Sequence, residues 1–288
     1  MDRPPAPDAS RPPPLGGFEV LRRQAGIDLA TWVQDLIHYR ETNPGVFRQV
    51  ETASLVVPLV ISFGGPFTIG LGRDPNASET FGSFTSGLYA GPVFIRSAGL
   101  AECVQVNFTP LGAWRFFGIP MSELAGRMVT LDDLADRGMT ELRHRLADLP
   151  DATRRLDLAA AFVADRIKRA KPCDGAIEAA YDILICRKGD LRLGRLADHL
   201  NMSRKHLADR FRVTVGLPPK AVARIIRFGH AQSLARKAKA GPMSRQPAAM
   251  PTRPISRGNS SNCPGRRQPG GRTQPEVTNL QDARTPRA

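Results

Sequence analysis

Between Phe47 and Phe108 the apolar positions fall into short runs. Ser54–Phe63 reads SLVVPLVISF, a continuous apolar stretch rich in branched side chains, and Gly64-Gly65-Pro66 ends it. FTIGLG (Phe67–Gly72) and GPVFIRS (Gly91–Ser97) are two more strand candidates. In ECVQVNF (Glu102–Phe108), Val104, Val106 and Phe108 share one face, and Gln105 and Asn107 the other. Short strands separated by turn residues predict a small sandwich or barrel. Gly17–Glu41 is open: Trp32, Leu36 and Tyr39 fit helical spacing, yet the segment could equally supply an early strand.

After Phe108 the period changes to that of helices. Thr109-Pro110 starts one, since proline suits a first helical turn, and Gly118 with Pro120 stops it. Ser122 and Thr130 are further cap candidates, and Thr140 is expected to cap a helix bearing Leu142 and Leu146. An amphipathic helix is predicted over Ala152–Arg169, after Pro150. Lys171-Pro172-Cys173-Asp174-Gly175 breaks it and marks a domain boundary. Ala176–Cys186 is one more helix, expected to pack behind the helices that begin after Gly189.

Gly189–Lys239 carries the clearest pattern. Leu193, Leu196 and Leu200 share one face of a short helix. Asn201, the non-glycine residue that best tolerates a left-handed conformation, interrupts it. Ser203 can cap a second helix, on which Leu207 and Phe211 point inward. Ser203, Arg204, Lys205, His206, Asp209 and Arg210 are then left on the outside. A short helix, a turn and a capped helix with a basic outer face form a helix-turn-helix pattern, although periodicity alone equally fits an amphipathic pair with a solvated charged face.

Gly216-Leu217-Pro218-Pro219-Lys220, followed by Arg227, Ala231 and Leu234, resembles the G-x-S-P … R-x-x-x-A-x-x-L pattern of AraC-type (AraC/XylS) transcriptional regulators. In that family the pattern comes after the first helix-turn-helix and opens a linker helix. The resemblance runs from Gly189 to Leu234, with Asn201 standing where the family commonly has glycine. It implies double-stranded DNA as partner and a jelly-roll-like N-terminal domain, which Phe47–Phe108 resembles loosely.

Charge fits this division. The net charge is +14, yet residues 189–240 hold 12 Lys+Arg against 3 acids and residues 241–288 hold 8 Arg against 2 acids. Residues 1–188 are therefore left at −1. A basic C-terminal part beside a neutral domain is the footprint expected of a nucleic-acid binder, although a basic tail attracted to membranes or RNA would give a similar count. No apolar stretch approaches the ~18 residues of a membrane span, and residues 1–16, with six prolines, predict a disordered leader. Cys103, Cys173, Cys186 and Cys263 are far apart and unpatterned, so neither a zinc site nor a disulfide framework is expected, which fits a reducing cytoplasm.

Catalytic chemistry finds no footing. There is neither a P-loop nor G-x-S-x-G, and the glycines at 64–65 and 70–72 lack the strand–turn–helix setting of a phosphate cradle. His38 stands alone before the β region and reads as a surface or packing residue, because a metal site needs converging ligands. Glu102, Asp132 and Asp133 show no evident pairing. No catalytic residue, metal or cofactor is therefore expected.

The helical period stops after Lys239. Gly241 onward reads GPMSRQPAAMPTRPISRGNSSNCPGRRQPGG, the composition of a disordered basic tail. The family resemblance implies a second helix-turn-helix in this place. Codons for Ala240–Gly265 can be chosen so that the frame one base earlier reads W-A-D-V-A-A-A-C-G-Y-A-D-Q-A-H-F-T-R-E-F-K-Q-L-S-G. That string resembles the family's second helix-turn-helix, including its G-Y-x-D-x-x-x-F-x-R-x-F-K core. Only the first base of each shifted codon is free, since the other two are fixed by the more constrained bases of the encoded residues. Residues 241–288 are thus expected to be out of frame, leaving Cys263 without a selected role.

The expected fold class is α+β: a β-rich, jelly-roll-like domain with flanking helices (residues 17–170), an all-α helix-turn-helix unit with its linker helix (171–240) and the basic tail. The expected function is sequence-specific transcription regulation in the cytoplasm, impaired if the second helix-turn-helix is lost. The N-terminal domain would sense a small-molecule effector or mediate homodimerisation. Arg204 and Lys205 are the candidates for base edges and Ser203 for the helix cap, while Asp209 could accept from a cytosine amino group or pair with Arg212 or Lys205. Arg192, Arg195 and Lys220 are phosphate candidates, and each fits an ordinary solvated surface charge equally well. The rival class is a ligand-binding or protein-interaction module whose DNA-binding half does not work.

Overall fold

The computed structural model describes residues 17–239. The expected leader at 1–16 and the expected tail at 241–288 lie outside the described residues.

The N-terminal half is built from two antiparallel sheets. One has the order β1 (Phe18–Gln24), β2 (Val33–Glu41), β9 (Glu102–Phe108), β4 (Val57–Ser62), β7 (Phe84–Ser86), β10 (Met128–Thr130). The other runs β3 (Phe47–Glu51), β8 (Val93–Ser97), β5 (Phe67–Leu71), β6 (Thr80–Phe81). The open segment 17–41 thus resolves into two strands, with Leu36 opposite Val106 and Arg23 opposite Leu36 in the ladders. Its helical spacing misleads because β2 is buried on both faces. Ile37 and Tyr39 face the space between the sheets, whereas Leu36 joins the core beneath the helices. A strand covered on both sides loses the alternation that would reveal it.

Helices cover one sheet. Val104, Val106 and Phe108 of β9 share a face, as their alternation predicts, and that face packs into the helical layer. The opposite face carries Cys103, Gln105 and Asn107. α1 (Pro110–Phe117) begins where Thr109 accepts a bond from Gly112 N at 3.1 Å, and it ends at Gly118 in the left-handed region, φ 68°. Gly112 is the one residue that fits there, because a Cβ would lie 1.9 Å from the Trp32 carbonyl oxygen.

Two cap assignments are corrected. Ser122 lies inside α2 (Met121–Leu124), whose N-cap is Pro120. Thr140 lies inside α4 (Arg137–Asp148), which starts one turn earlier, where the Asp136 carboxylate accepts from Met139 N at 3.0 Å. The stronger acceptor upstream takes the orphan N–H. Thr130 does cap α3 (Leu131–Leu134), in a reciprocal box with Asp133 that gives this acid a partner its sequence context did not show. α5 spans Ala152–Arg169, as its period predicts.

The C-terminal helices are α6 (Gly175–Cys186), α7 (Leu193–His199), α8 (Arg204–Val215) and α9 (Pro219–Lys239). Asn201 has φ 51°, the left-handed turn between α7 and α8. Leu207 and Phe211 are fully buried. α8 packs against α6, α7 and α9, and also against α1 and α2 of the N-terminal half. Gly216, at φ 98°, lies beside Met121, whose carbonyl oxygen a Cβ would approach to 3.1 Å. One apolar core therefore runs from Val104 and Phe108 through Met121 to Leu207 and Phe211.

Candidate functional site

The α8 helix presents the predicted face. Ser203 sits at its N-cap and accepts a bond from His206 N at 3.1 Å, which satisfies one of the orphan amides of the first turn. Arg204, Lys205, His206, Asp209 and Arg210 are all exposed. They do not stand alike. Arg210 forms an ion pair with Asp174, the N-cap residue of α6. The Arg204 guanidinium lies back over α7 in the space left by Gly194, where a Cβ would come within 3.1 Å of Nη2.

Arg192 is exposed at the N-cap of α7 and Arg195 on that helix, and Lys220 is exposed in the first turn of α9. Arg227 of α9 donates from Nη1 to the Gly189 carbonyl oxygen at 2.6 Å, anchoring the start of the α7 segment to α9. Asp174 and Gly194 escaped the sequence reading. The first sits in a loop-breaking stretch and the second inside a helix, and neither position signals a long-range neighbour.

The β half holds a different kind of site. Between its sheets lies a cavity of about 130 Å³. Phe67, Ile69, Val93 and Ile95 are among its apolar walls, and Gln49, Glu51 and Gln105 among its polar ones. Among the described residues no lysine, arginine or histidine lines it. Burial pushes the Glu51 carboxyl above the usual carboxylate range. Sequence reasoning missed Glu51 together with its strand. The alternation in FRQVE, with Phe47, Gln49 and Glu51 inward and Arg48 and Val50 outward, was the available signal.

A third cluster ties the sheet to α5. The Arg155 guanidinium bonds Glu102, meets His38 Nε2 at 3.1 Å, donates from Nε to the Leu146 carbonyl oxygen at 3.0 Å and lies 4.3 Å from the Phe63 ring centroid. Glu102 is therefore paired, contrary to its reading as an isolated acid, and His38 is a buried packing residue. Burial first, then the Arg155 charge, lower the His38 pKa. A neutral His38 accepts the arginine N–H.

Nucleophile chemistry is poorly served. Burial raises the Cys103 thiol to about 12 and the Cys173 thiol to about 11, so neither is a thiolate near neutrality. Cys186 is disulfide-bonded, which departs from the expectation of no disulfide. Among the described residues no group of three metal-ligating side chains converges, and no helix is long and apolar enough to cross a membrane.

No family model and no curated protein matches the chain. Some solved structures overlay on it. The AraC-like transcriptional activator CuxR covers 76% of this chain and 88% of its own, at 13% identity and a TM-score of 0.27. ToxT from Vibrio cholerae O395 covers 77% of this chain and 83% of its own, at 11% identity and a TM-score of 0.33. Phpd with cadmium, complexed with hydroethylphosphonate, covers 70% of this chain and 55% of its own, at 12% identity and a TM-score of 0.19. Overlaps this loose assign neither a fold nor a family.

Proposed function

We propose that this chain is a DNA-binding transcription regulator of AraC type, acting in the cytoplasm, whose β half senses a small molecule or mediates homodimerisation. The observation that carries the reading is the capped, exposed N-terminal turn of α8. An α-helix fits the major groove, and a first turn bearing Arg204 and Lys205 brings donors to guanine edges. Asp209 would accept from a cytosine amino group. Arg192, Arg195 and Lys220, on the flanking helices, would hold phosphates and fix the register. Arg210 would reach the DNA only by giving up Asp174.

This helix pair would be one half of a reader. Codons for the residues after Lys239 can be chosen so that the shifted frame reads as a string resembling the second helix-turn-helix. With that frame lost, the tail would contribute only phosphate contacts. Two linked readers bind far more tightly and selectively than one, because the second contact forms at high effective concentration. The test is a salt titration of the chain as encoded and of its frame-restored version, against a selected operator and a scrambled duplex. The encoded chain should bind weakly, with little selectivity and a steep salt dependence. Frame restoration should raise affinity and selectivity by orders of magnitude. Equal selectivity in the two versions would sink the frame argument. Absence of selectivity from both would favour the rival, a ligand-binding or protein-interaction module with a non-functional DNA-binding half.

A further inference from the structure

The β half turns several carboxylates inward, and one is treated differently from the rest. Glu41 receives the Tyr39 hydroxyl at 2.9 Å, the Ser97 hydroxyl and the Ala101 N–H at 2.8 Å. Asp35 receives Arg22 Nη1 at 2.9 Å and Asn107 Nδ2 at 2.6 Å. Glu51 receives a single bond, from the neutral Gln49 Nε2 at 3.1 Å, and among the described residues no cation pairs with it. Glu51 is half-buried. A carboxylate partly withdrawn from water and without a cation carries an uncompensated cost, and a guest that brings the missing charge relieves it.

The other polar groups of the cavity point to the same guest. Gln49 must turn its Nε2 to the Glu51 carboxylate, which only accepts, so its Oε1 remains as an acceptor. Asn107 must turn Nδ2 to Asp35, so its Oδ1 takes Gln105 Nε2 at 2.7 Å, and the Gln105 Oε1 is again left over. Acceptors therefore line an apolar cavity, and an ammonium group supplies three donors. The volume of about 130 Å³ is close to the ~150 Å³ of an engineered apolar cavity that takes benzene. One ring or a short branched chain fills such a space.

We propose that the cavity between the sheets is a binding site for a compact apolar amine, with its ammonium group held by Glu51 and Gln49 and its apolar body against Ile69 and Ile95. The proposal rests on reading the β half as a ligand sensor. The competing role for Glu51 is that of an inward charge on an edge strand, which discourages pairing with another chain. β3 is the end strand of its sheet, so that role is sterically open to it.

Calorimetric titration of the full chain with benzylamine, benzyl alcohol and benzoate separates these roles. Benzylamine should bind at least about tenfold more tightly than benzyl alcohol, as expected for a charged hydrogen-bonded contact, and benzoate should be rejected. Glu51→Gln should abolish the preference while keeping benzyl alcohol binding, which also shows that the variant is folded. Ile95→Phe should weaken both ligands. Equal binding of alcohol and amine by the unaltered chain, or a preference that survives Glu51→Gln, overturns the amine assignment and leaves the sensor reading intact. If no probe binds and Ile95→Phe does not lower thermal stability, the cavity is a packing void, and the amine site and the sensor reading fall together.

Discussion

In the β half Asp35, Glu41 and Glu102 point inward, and each is met by an arginine or by several donors. On α8 Arg204, Lys205, His206 and Asp209 stay exposed, and Arg210 alone has an acidic partner in Asp174. The two halves therefore use charge for opposite ends. Inside the β half, charges fix the geometry of sheet and helix against each other, and the segment is close to neutral because they are matched. On the helical half the surplus is left outside, where it contributes little to stability and is available to a polyanion.

Breaking an inward pair should have the largest effect. Arg155→Ala leaves Glu102 with only His38 Nε2 at 3.4 Å, removes the bond to the Leu146 carbonyl and uncovers Phe63. Removing one partner of a buried pair costs about 3–5 kcal/mol, and the lower end applies because the Glu102 side chain keeps 25% exposure. Urea unfolding of the full chain measures it, and a loss under about 1 kcal/mol would show that the clamp is ornamental.

The outward face should respond in the other assay. Arg204→Ala and Lys205→Ala in the frame-restored protein should each weaken operator binding by roughly 1–3 kcal/mol while changing stability by less than about 0.5 kcal/mol. Unchanged affinity for every operator tested would remove α8 from the interface. Arg204, which lies over Gly194, has further to move than Lys205.

The smallest effect concerns His38. Its pKa is lowered in the folded state, so the unfolded chain takes up the proton first. Stability from this residue is complete above the ordinary value of 6.5 and is lost as pH falls from there through the lowered folded value. Unfolding midpoints between pH 7.5 and 5.5 (values chosen to bracket ~6.5) should fall more steeply for the native chain than for His38→Gln. Parallel curves would mean that His38 is indifferent to its charge.

Legibility in the sequence divides along the same line. α5 and α8 can be read because one face is apolar and the other polar, and Ser203 caps α8 as its position predicts. The strands at 54–63 and 102–108 announce themselves by apolar content or alternation. β2 does not, because α5 covers one face and the second sheet the other. β6, β7 and β10 are only two or three residues long and carry no period at all. Of the charged clusters, Arg204 to Arg210 is local and visible. The set formed by His38, Glu102 and Arg155 is assembled from β2, β9 and α5, so no spacing rule could find it.

The packing of α8 on α1 and α2, with Gly216 beside Met121, has a consequence for how this molecule comes apart. The break at 171–175 is a seam in the chain but not in the core, which continues across it from Phe108 to Phe211. A protein whose halves share a core loses them together, so heat should melt it in a single cooperative step. An occupant of the β cavity, by holding the native state, would then also protect the helix pair from unfolding, although it touches none of its residues.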